Sequence, residues 1–545
     1  ELHRGCYTTH ADQKYYNRRC EDALYQAELW ASLAAITLQV KYPQAPLEQA
    51  WKQVLFNQFH DILPGSSIPE VFEQANQDWQ AALGTAQQVL HTALDQLAKH
   101  IPLPPLPHPE AQPVLLFNPL NWPRRELVEL PLPSGPDRPW QGLDGQGQPL
   151  PTQISQPPGE TVPRLLIQGP QVPALGYCLV WLVPAAPAAP PVVPPDWCLE
   201  NDHLQVTIDG QTGNIASLVD RRRGQAVLRG PGNQLQAFAD QGQYWDAWNI
   251  DPAYQAHPLE DFHLEQIQWR ECGPCRQTLR VVRRFRQSTI LQDYSLALDS
   301  PLLVMHTQVD WRESQVLVKA AFPWPGEAPQ ATYEIPFGAI ERPTTAATPQ
   351  AAARWEVPAL RWADLSQAAG GLSLLTDCKH GFDSTPHQLR LTLLKSPLWP
   401  DPQADRGFQA FTYALYPHPG SWQQAATVQW ARNLSMPLQG RFPQAIPTAG
   451  APDRHSFLDL GDNSLVVAAL KRSQDHPQRF ILRLYESAGD RSTCHPRLPS
   501  GWGWAGPVDL LETPVELAAA VGPEVTIDPW QVLSLALEPL PPMGL

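Results

Sequence analysis

Proline is distributed very unevenly along this chain, and the distribution limits where long helices can form. Only four of the 61 prolines precede residue 101, at positions 43, 46, 64 and 69. Proline lacks the backbone N–H that a helix interior needs, and its ring clashes with the preceding turn. Long helices are therefore favoured in residues 1–100 and disfavoured in most of the remaining chain. We predict a helical N-terminal region and a second region of another kind.

Apolar spacing predicts three antiparallel helices within residues 1–100. The first should begin near Thr9 and end before Pro43, and the second should open at Pro46. The third carries two apolar rows at seven-residue intervals, which are Ile68, Ala75, Ala82 and Val89, and Phe72, Trp79, Ala86 and Ala93. A sustained seven-residue repeat is typical of helices packed in a bundle. Residues 1–100 are therefore predicted to be a three-helix bundle.

Residues 57–67 join the second and third predicted helices and contain a His-Asp pair. Apolar residues at positions 51, 54, 55, 59 and 62 share one helical face, which extends the second helix to Ile62. Asn57, His60 and Asp61 share another face at i, i+3 and i+4. Pro64 and the glycine after it end the helix. The polar side chains are thus predicted to point together at a helix end.

The His60–Asp61 pair permits two interpretations. An imidazole and a carboxylate are both ligands of zinc, but a zinc ion takes about four ligands. A His-Asp pair at the end of an amphipathic helix is more often a solvated terminus than a metal site. The local pattern alone does not choose between these alternatives.

Beyond residue 100 the sequence pattern is typical of β-structure. Residues 101–113 form a stiff proline-rich linker. Short alternating runs then recur between Gly, Pro and Asp turns, and residues 204–218 predict a hairpin around the turn 209–213. We predict a small β domain over 114–195, a large β-sandwich over 196–440 and a terminal β domain over 441–545. The fold class is α+β multidomain, a three-helix bundle followed by large, mostly antiparallel β-sandwich domains.

Charge and cysteine content limit the classes of partner and compartment. The net charge of −15 argues against nucleic acid and anionic membranes as partners. No apolar run reaches the ~18 residues of a membrane span. The eight cysteines lack the close spacing of a small disulfide framework, which favours free thiols and a reducing, cytoplasmic compartment. The oligomeric state stays open, with a homo-oligomer among the alternatives.

Cys272 and Cys275 have the C-x-x-C spacing of a thioredoxin-like dithiol. In that fold the motif begins a helix, whereas residues 276–286 alternate as a strand does. The Gly-Pro between the cysteines is typical of a hairpin tip. We therefore expect two free thiols or a local disulfide staple at a hairpin, and not a redox centre.

Residues 244–251 place tyrosine and tryptophans between carboxylates. Aromatic rings can stack on the apolar faces of sugars while carboxylates accept hydrogen bonds from sugar hydroxyls. Alternatively, Trp245 and Trp248 anchor the loop to a sandwich. The sequence shows no G-x-S-x-G motif, P-loop or dinucleotide fingerprint, and we identify no spaced pair of catalytic carboxylates.

Several motifs in order resemble one enzyme family. The segments ELHRGCYTT and NQFHDILPGSS, at 1–9 and 57–67, are similar to the middle part of α-mannosidases of glycoside hydrolase family 38. Further segments keep the family's order, at 117–124, 199–204, 209–213, 245–248, 337–343, 362–365, 391–397 and 411–418. The resemblance covers most of the chain up to about residue 420.

The resemblance implies a zinc-dependent, retaining exo-glycosidase that removes terminal α-mannose from oligosaccharides. It implies that His60 is one of four zinc ligands and that Asp61 borders the pocket and hydrogen-bonds the sugar. His3 and Tyr7, in the segment that enters the bundle, are expected to edge the same pocket, and Trp245 is expected to contact substrate. Retention requires a nucleophile and an acid/base carboxylate about 5 Å apart.

The family's N-terminal α/β barrel supplies the nucleophile, the acid/base residue and the other three zinc ligands. The resemblance implies that this domain precedes Glu1, so we expect no catalytic residue in this chain, weak zinc binding and no hydrolysis by the chain alone. The alternative is a non-catalytic carbohydrate-binding or scaffold module of a helical bundle and β-sandwiches. That alternative predicts sugar binding that persists after chelation and after His60→Ala.

Overall fold

The computed structural model describes residues 3–132, 139–156, 162–186, 192–242, 245–443, 448, 450–461, 464–515 and 524–541. A 3₁₀ turn, Arg4–Tyr7, precedes three long helices: α1 (Ala11–Leu38), α2 (Gln44–Asn57) and α3 (Pro69–His100). Two short helices, α4 (Pro349–Ala352) and α5 (Thr427–Ser435), lie among the strands. The helical N-terminal region and its three helices are confirmed. None of the helices in the described ranges is long and apolar enough to cross a membrane.

Local sequence explains how α3 forms. Pro69 takes the first helical position, where its missing N–H costs nothing, and Glu70 places negative charge in the first turn. Lys99 and His100 place basic side chains in the last turn, where they complement the helix dipole. The apolar row Phe72, Trp79, Ala86 and Ala93 is buried throughout. The other row begins at Ile68, which is 52% exposed.

The predicted extension of α2 to Ile62 is wrong, because α2 ends at Asn57. Pro64 disfavours helical backbone at the residue before it, and its ring cannot follow an intact helix. Tight turns replace the helical ladder, with Phe59 N donating to Phe56 O at 3.0 Å and Ile62 N to Phe59 O at 3.0 Å. The predicted apolar face is accordingly divided. Val54 and Ile62 are buried, whereas Leu55 and Phe59 are exposed.

The strands follow in chain order. The first group is β1 (Gln112–Asn118), β2 (Leu127–Pro131), β3 (Trp140–Asp144), β4 (Pro149–Leu150), β5 (Thr152–Ser155), β6 (Arg164–Gln168) and β7 (Gly176–Pro184). The second is β8 (Cys198–Glu200), β9 (Leu204–Ile208), β10 (Ile215–Asp220), β11 (Gln225–Ala226), β12 (Gln234–Ala239), β13 (His263–Cys272), β14 (Arg276–Phe285), β15 (Ser288–Ala297), β16 (Leu303–Trp311), β17 (Val316–Pro323), β18 (Gln330–Ile335), β19 (Gly338–Pro343), β20 (Val357–Pro358), β21 (Trp362–Gln367), β22 (Gly370–Thr376), β23 (Gly381–Thr385), β24 (Gln388–Lys395) and β25 (Gly407–His418). The third is β26 (Gln439–Arg441), β27 (Arg454–Ser456), β28 (Leu465–Arg472), β29 (Phe480–Glu486), β30 (Ser492–Cys494), β31 (Trp502–Val508), β32 (Val525–Ile527) and β33 (Val532–Pro539).

The chain divides into two compact units, each made of three segments. Unit 1 comprises Glu1–Arg19, Gln53–Gln80 and Pro190–Ser435, and unit 2 comprises Cys20–Lys52, Ala81–Ala189 and Met436–Leu545. Both units draw on the three long helices. The five sequential domains that the sequence suggests, with a linker over 101–113, stay a prediction.

Unit 1 contains three antiparallel sheets. The largest has nine strands in the order β13-β14-β15-β16-β25-β22-β21-β18-β19, and the others are β12-β17-β24-β23-β20 and β11-β10-β9-β8. Val206, Val281 and Val318, one from each sheet, belong to the same buried cluster, so the sheets enclose one core. The predicted hairpin is confirmed, since β9 pairs with β10 through Ile208 and Ile215.

Unit 2 contains the remaining sheets. A six-stranded sheet has the order β26-β1-β7-β3-β4 with β27 also paired to β7, and the others are β2-β6-β5, β28-β29-β33-β31 and β30-β32. Val114, Leu130 and Val180 belong to one of its buried clusters. The predicted fold class, helices followed by mostly antiparallel sheets in an α+β multidomain chain, is confirmed.

Candidate functional site

The candidate site lies in unit 1 and begins with the turn after α2. We call residues 58–66 the His60 turn. Asn57, the last residue of α2, is buried and its Nδ2 donates to the Ala75 carbonyl of α3 at 3.1 Å. His60 and Asp61 instead project outward, with side chains 80% and 43% exposed. The prediction that Asn57, His60 and Asp61 share one helical face is therefore wrong, because α2 does not continue past Asn57.

His60 and Asp61 are neighbours without a direct hydrogen bond. His60 Nε2 lies 3.7 Å from Asp61 Oδ2, beyond hydrogen-bonding range. Ser66 Oγ donates to Asp61 Oδ1 at 3.3 Å, and the Phe59 ring lies 4.2 Å from the imidazole. Asp61 is thus oriented from one side while Oδ2 and the imidazole face solvent. The imidazole of His60 and the carboxylate of Asp61 can each coordinate a cation or form a hydrogen bond with a hydroxyl group.

Gly65 allows the His60 turn to pack against the start of α1. Its φ is +81°, a conformation that favours glycine. A Cβ at this position would lie 2.5 Å from the Thr9 carbonyl oxygen and 2.7 Å from His10 Cβ. Gln58 adds a second attachment, since its Nε2 donates to Asn17 Oδ1 at 2.9 Å. The position of His60 therefore depends on close backbone contact with residues 9–10.

His10 is the centre of a buried acidic cluster beneath this contact. Its Nδ1 lies 3.2 Å from Asp12 Oδ1 and its Nε2 lies 3.1 Å from Asp401 Oδ2. Asp405 accepts the backbone N–H of His10 at 2.9 Å, and the Phe72 ring stacks on the imidazole at 3.7 Å. Burial lowers the pKa of His10, but the hydrogen bonds to Asp12 and Asp401 outweigh burial and raise that pKa to about 9. No sequence motif predicts this cluster, because it joins residues almost 400 positions apart.

The segment before α1 contacts the loop that contains Trp248. The His3 ring stacks on Trp248 with centroids 4.7 Å apart and planes at 27°. Gly5 N donates to the Trp248 carbonyl at 2.8 Å, and Thr9 Oγ1 donates to the Ala247 carbonyl at 2.8 Å. Tyr7 lies half-buried in the adjoining 3₁₀ turn. His3 is thus held against the loop that contains Trp248.

A second loop, residues 398–401, completes the aromatic side. Trp245 and Trp399 have ring centroids 4.4 Å apart, with planes at 42°. Ala247 N donates to the Trp399 carbonyl at 3.0 Å, and Leu398 N donates to Asp246 Oδ2 at 2.6 Å. Tyr244, part of the predicted aromatic loop, lies outside the described residues. No sequence pattern predicted that Trp399, just beyond the motif at 391–397, would pack against Trp245.

Electrostatics place Asp61 near the 3₁₀ turn. Burial raises the pKa of Cys6, Lys14 and Lys395 oppose that rise, and the negative charge of Asp61 adds to it. Asp61 therefore lies within electrostatic reach of Cys6, the neighbour of Tyr7. The His60 turn and residues 3–7 are therefore neighbours, and Gly5 and Thr9 in turn contact the backbone of Ala247 and Trp248.

The described residues contain no group of three or more His, Cys, Asp or Glu side chains placed to hold a metal ion. His60 and Asp61 have the donor atoms that zinc prefers, but they make only two of about four ligands. They fit a zinc ion as part of a larger ligand set.

Cys272 is the last residue of β13, and Cys275 lies in the turn immediately before β14. The two strands pair, as the predicted hairpin requires. None of the eight cysteines, all of which lie in the described residues, is in a disulfide. Burial raises the pKa of Cys272, whereas a reactive thiol needs a lowered pKa. Cys272 therefore lacks the acidity of a redox-active thiol.

Comparison with known proteins defines the class. Residues 1–97 match the alpha mannosidase middle domain, residues 199–403 the glycosyl hydrolases family 38 C-terminal domain, and residues 464–535 the C-terminal beta sandwich domain of that family. These are domains of glycosidases. The chain belongs to glycoside hydrolase family 38 and carries the middle and C-terminal domains of its α-mannosidases.

Several α-mannosidases are similar along nearly the whole chain. Human alpha-mannosidase 2C1 is 34% identical over 99% of this chain and 50% of its own length. Alpha-mannosidase G of Dictyostelium discoideum is 28% identical over 90% of this chain and 47% of its own length. The chain thus spans about half the length of these relatives. The crystal structure of an Enterococcus faecalis alpha-mannosidase shares the fold, with a TM-score of 0.80 over 98% of this chain and 68% of that chain, at 16% identity.

Proposed function

We propose that this chain is the substrate-facing helical and β-sandwich portion of a zinc-dependent, retaining α-mannosidase that removes terminal α-mannose from oligosaccharides. The observation that carries the proposal is the exposed His60–Asp61 pair beside residues 3–7, in a chain of family 38 domains. In this proposal a barrel domain outside the 545 residues supplies the nucleophile, the acid/base residue and the remaining zinc ligands.

His60 is proposed as one zinc ligand, because its imidazole is exposed and makes no hydrogen bond to Asp61. Zinc, when bound, would orient the sugar hydroxyls and stabilise charge on them. Asp61, oriented by Ser66, accepts hydrogen bonds from those hydroxyls. His3 and Tyr7 edge the pocket, and Trp245 contacts the sugar beyond it.

His60→Ala in the barrel-containing enzyme tests this proposal. We expect the zinc content measured by elemental analysis to fall from about one per molecule toward zero, and hydrolysis of nitrophenyl α-mannoside to be lost with it. His108→Ala removes an exposed histidine from another part of the chain and should change neither quantity. Full zinc occupancy and activity in His60→Ala would contradict the assignment.

The chain alone provides a second test. We expect it to bind zinc weakly and to leave nitrophenyl α-mannoside intact, since the proposal places the reacting carboxylates elsewhere. Turnover by the pure chain would refute that placement. Sugar binding that survives both chelation and His60→Ala, in an enzyme that never hydrolyses mannosides, would favour a non-catalytic carbohydrate-binding module.

A further inference from the structure

Trp245 and Trp399 form a pair of exposed aromatic rings next to the proposed pocket. We call these two side chains the tryptophan platform. Trp245 is 52% exposed and Trp399 is 49% exposed, so each ring keeps roughly half of its surface open to solvent. Exposure of this kind is unusual for tryptophan, which is highly buried on average. The platform therefore presents apolar area that folding alone does not require.

The backbone of the platform is constrained. Trp245 has a φ of +53°, a left-handed conformation that is an outlier for a bulky side chain. Three hydrogen bonds hold the loop: Trp248 N to the Trp245 carbonyl at 2.9 Å, Ala247 N to the Trp399 carbonyl at 3.0 Å, and Leu398 N to Asp246 Oδ2 at 2.6 Å. Uncommon backbone conformations persist where the surroundings determine them, and they cluster at ligand sites.

Asp246 joins the two loops through charge as well. Its Oδ1 lies 3.9 Å from Lys395 Nζ, which also contacts Asp240 Oδ2 at 2.6 Å. Lys395 and Asp240 are buried, and Lys395 is the last residue of β24, so this group attaches the loop of Trp245 to that strand. The two indoles are thus preorganised before any ligand arrives, which lowers the entropic cost of binding.

We propose that the tryptophan platform binds the sugar next to the terminal mannose, the leaving-group residue of the oligosaccharide, by stacking on its apolar face. This inference rests on the proposed function. Direct contacts connect the platform with the His60 turn: Gly65 packs against Thr9, Thr9 Oγ1 donates to the Ala247 carbonyl, and Ala247 N donates to the Trp399 carbonyl. The platform is therefore close enough to hold a ring adjacent to the terminal one. A neutral pyranose suits it better than an anionic ligand, because Asp240 and Asp246 share the single ammonium of Lys395 and the group keeps a net negative charge.

Two substrates separate the roles of the platform and the pocket. α-Mannobiose carries a leaving-group sugar, whereas α-mannosyl fluoride has no leaving-group ring. In the barrel-containing enzyme we expect Trp399→Ala to lower kcat/KM for mannobiose at least tenfold more than kcat/KM for mannosyl fluoride. Trp399→Phe, which keeps an aromatic face, should recover most of the difference. Trp530→Ala is the matched control, since Trp530 is 40% exposed and also has a left-handed φ, +61°.

The outcomes are distinct for the two proposals. If Trp399→Ala lowered kcat/KM equally for both substrates, or for neither, the proposed role of the platform would be overturned and the mannosidase proposal would stand. Wild-type enzyme that hydrolyses neither substrate would refute the function itself. Binding of mannobiose to the 545-residue chain, measured by tryptophan fluorescence, should weaken at least tenfold in Trp399→Ala and stay unchanged in Trp530→Ala. Equal weakening in both variants would again overturn the platform.

Discussion

His10 should make the stability of unit 1 depend on pH. Its folded pKa is about 9 against an ordinary value of 6.5. At about 1.36 kcal/mol per pKa unit, this difference corresponds to about 3 kcal/mol of stabilisation. The folded state binds the proton more tightly than the unfolded state. The stabilisation is therefore complete below pH 6.5 and is lost as the pH rises toward 9.

Neighbouring groups also titrate, so the variant His10→Asn is needed to isolate the contribution of His10 to stability. Burial lowers the pKa of Lys14 to about 8, and this group changes stability in the opposite sense above that pH. We expect His10→Asn to be less stable than wild type by about 3 kcal/mol at pH 6, with most of the difference gone at pH 9.5. Hydrogen exchange of peptides from residues 3–19 at increasing urea reports this local stability.

His257→Asn serves as the control for His10, since His257 is exposed and lies in unit 1. The free energy of unfolding of this control variant should keep the wild-type dependence on pH. The free energy of unfolding of wild type and of His10→Asn could instead differ by the same amount at pH 6 and at pH 9.5. That result would refute the reasoning, because it would show that His10 is not held as a cation by Asp12 and Asp401.

Two further substitutions test the turn and the core. Gly65→Ala should lower the free energy of unfolding by at least the ~1–2 kcal/mol of a left-handed alanine. The contact of the new Cβ with Thr9 should also displace the His60 turn and weaken zinc binding by the barrel-containing enzyme. Unchanged stability in urea and unchanged zinc affinity would contradict this prediction. Lys319→Met should destabilise unit 1 by about 3–5 kcal/mol, because it leaves Glu356 buried without its ammonium partner and leaves Asp383 with Arg390 alone. Lys52→Met removes an exposed pair with Glu48 and should change the free energy of unfolding far less in the same urea titration. Equal losses of stability in the two lysine variants would be inconsistent with the burial argument.

Local patterns predicted much of this fold. Seven-residue spacing and the scarcity of proline identified α1, α2 and α3, and alternation identified the hairpin of β9 and β10. The end of α2 was misplaced by five residues, since an apolar period continues through positions that the chain uses for turns. Periodicity records which residues are apolar, but it does not show which of them a neighbouring element will cover. Leu55, Phe59 and Ile68 are exposed for that reason.

The sequence by itself determined the family, the fold class and the His60–Asp61 pair, because these depend on motifs of contiguous residues. Only the tertiary structure decided what surrounds the pair. Asp401 contacts His10 and Trp399 packs against Trp245, although both lie almost 400 positions after the start of the bundle. Such contacts leave no local period in the sequence. Side-chain hydrogen bonds and ring stacking between distant segments depend on how the sheets of unit 1 close around a common core, and that closure is a property of the whole fold.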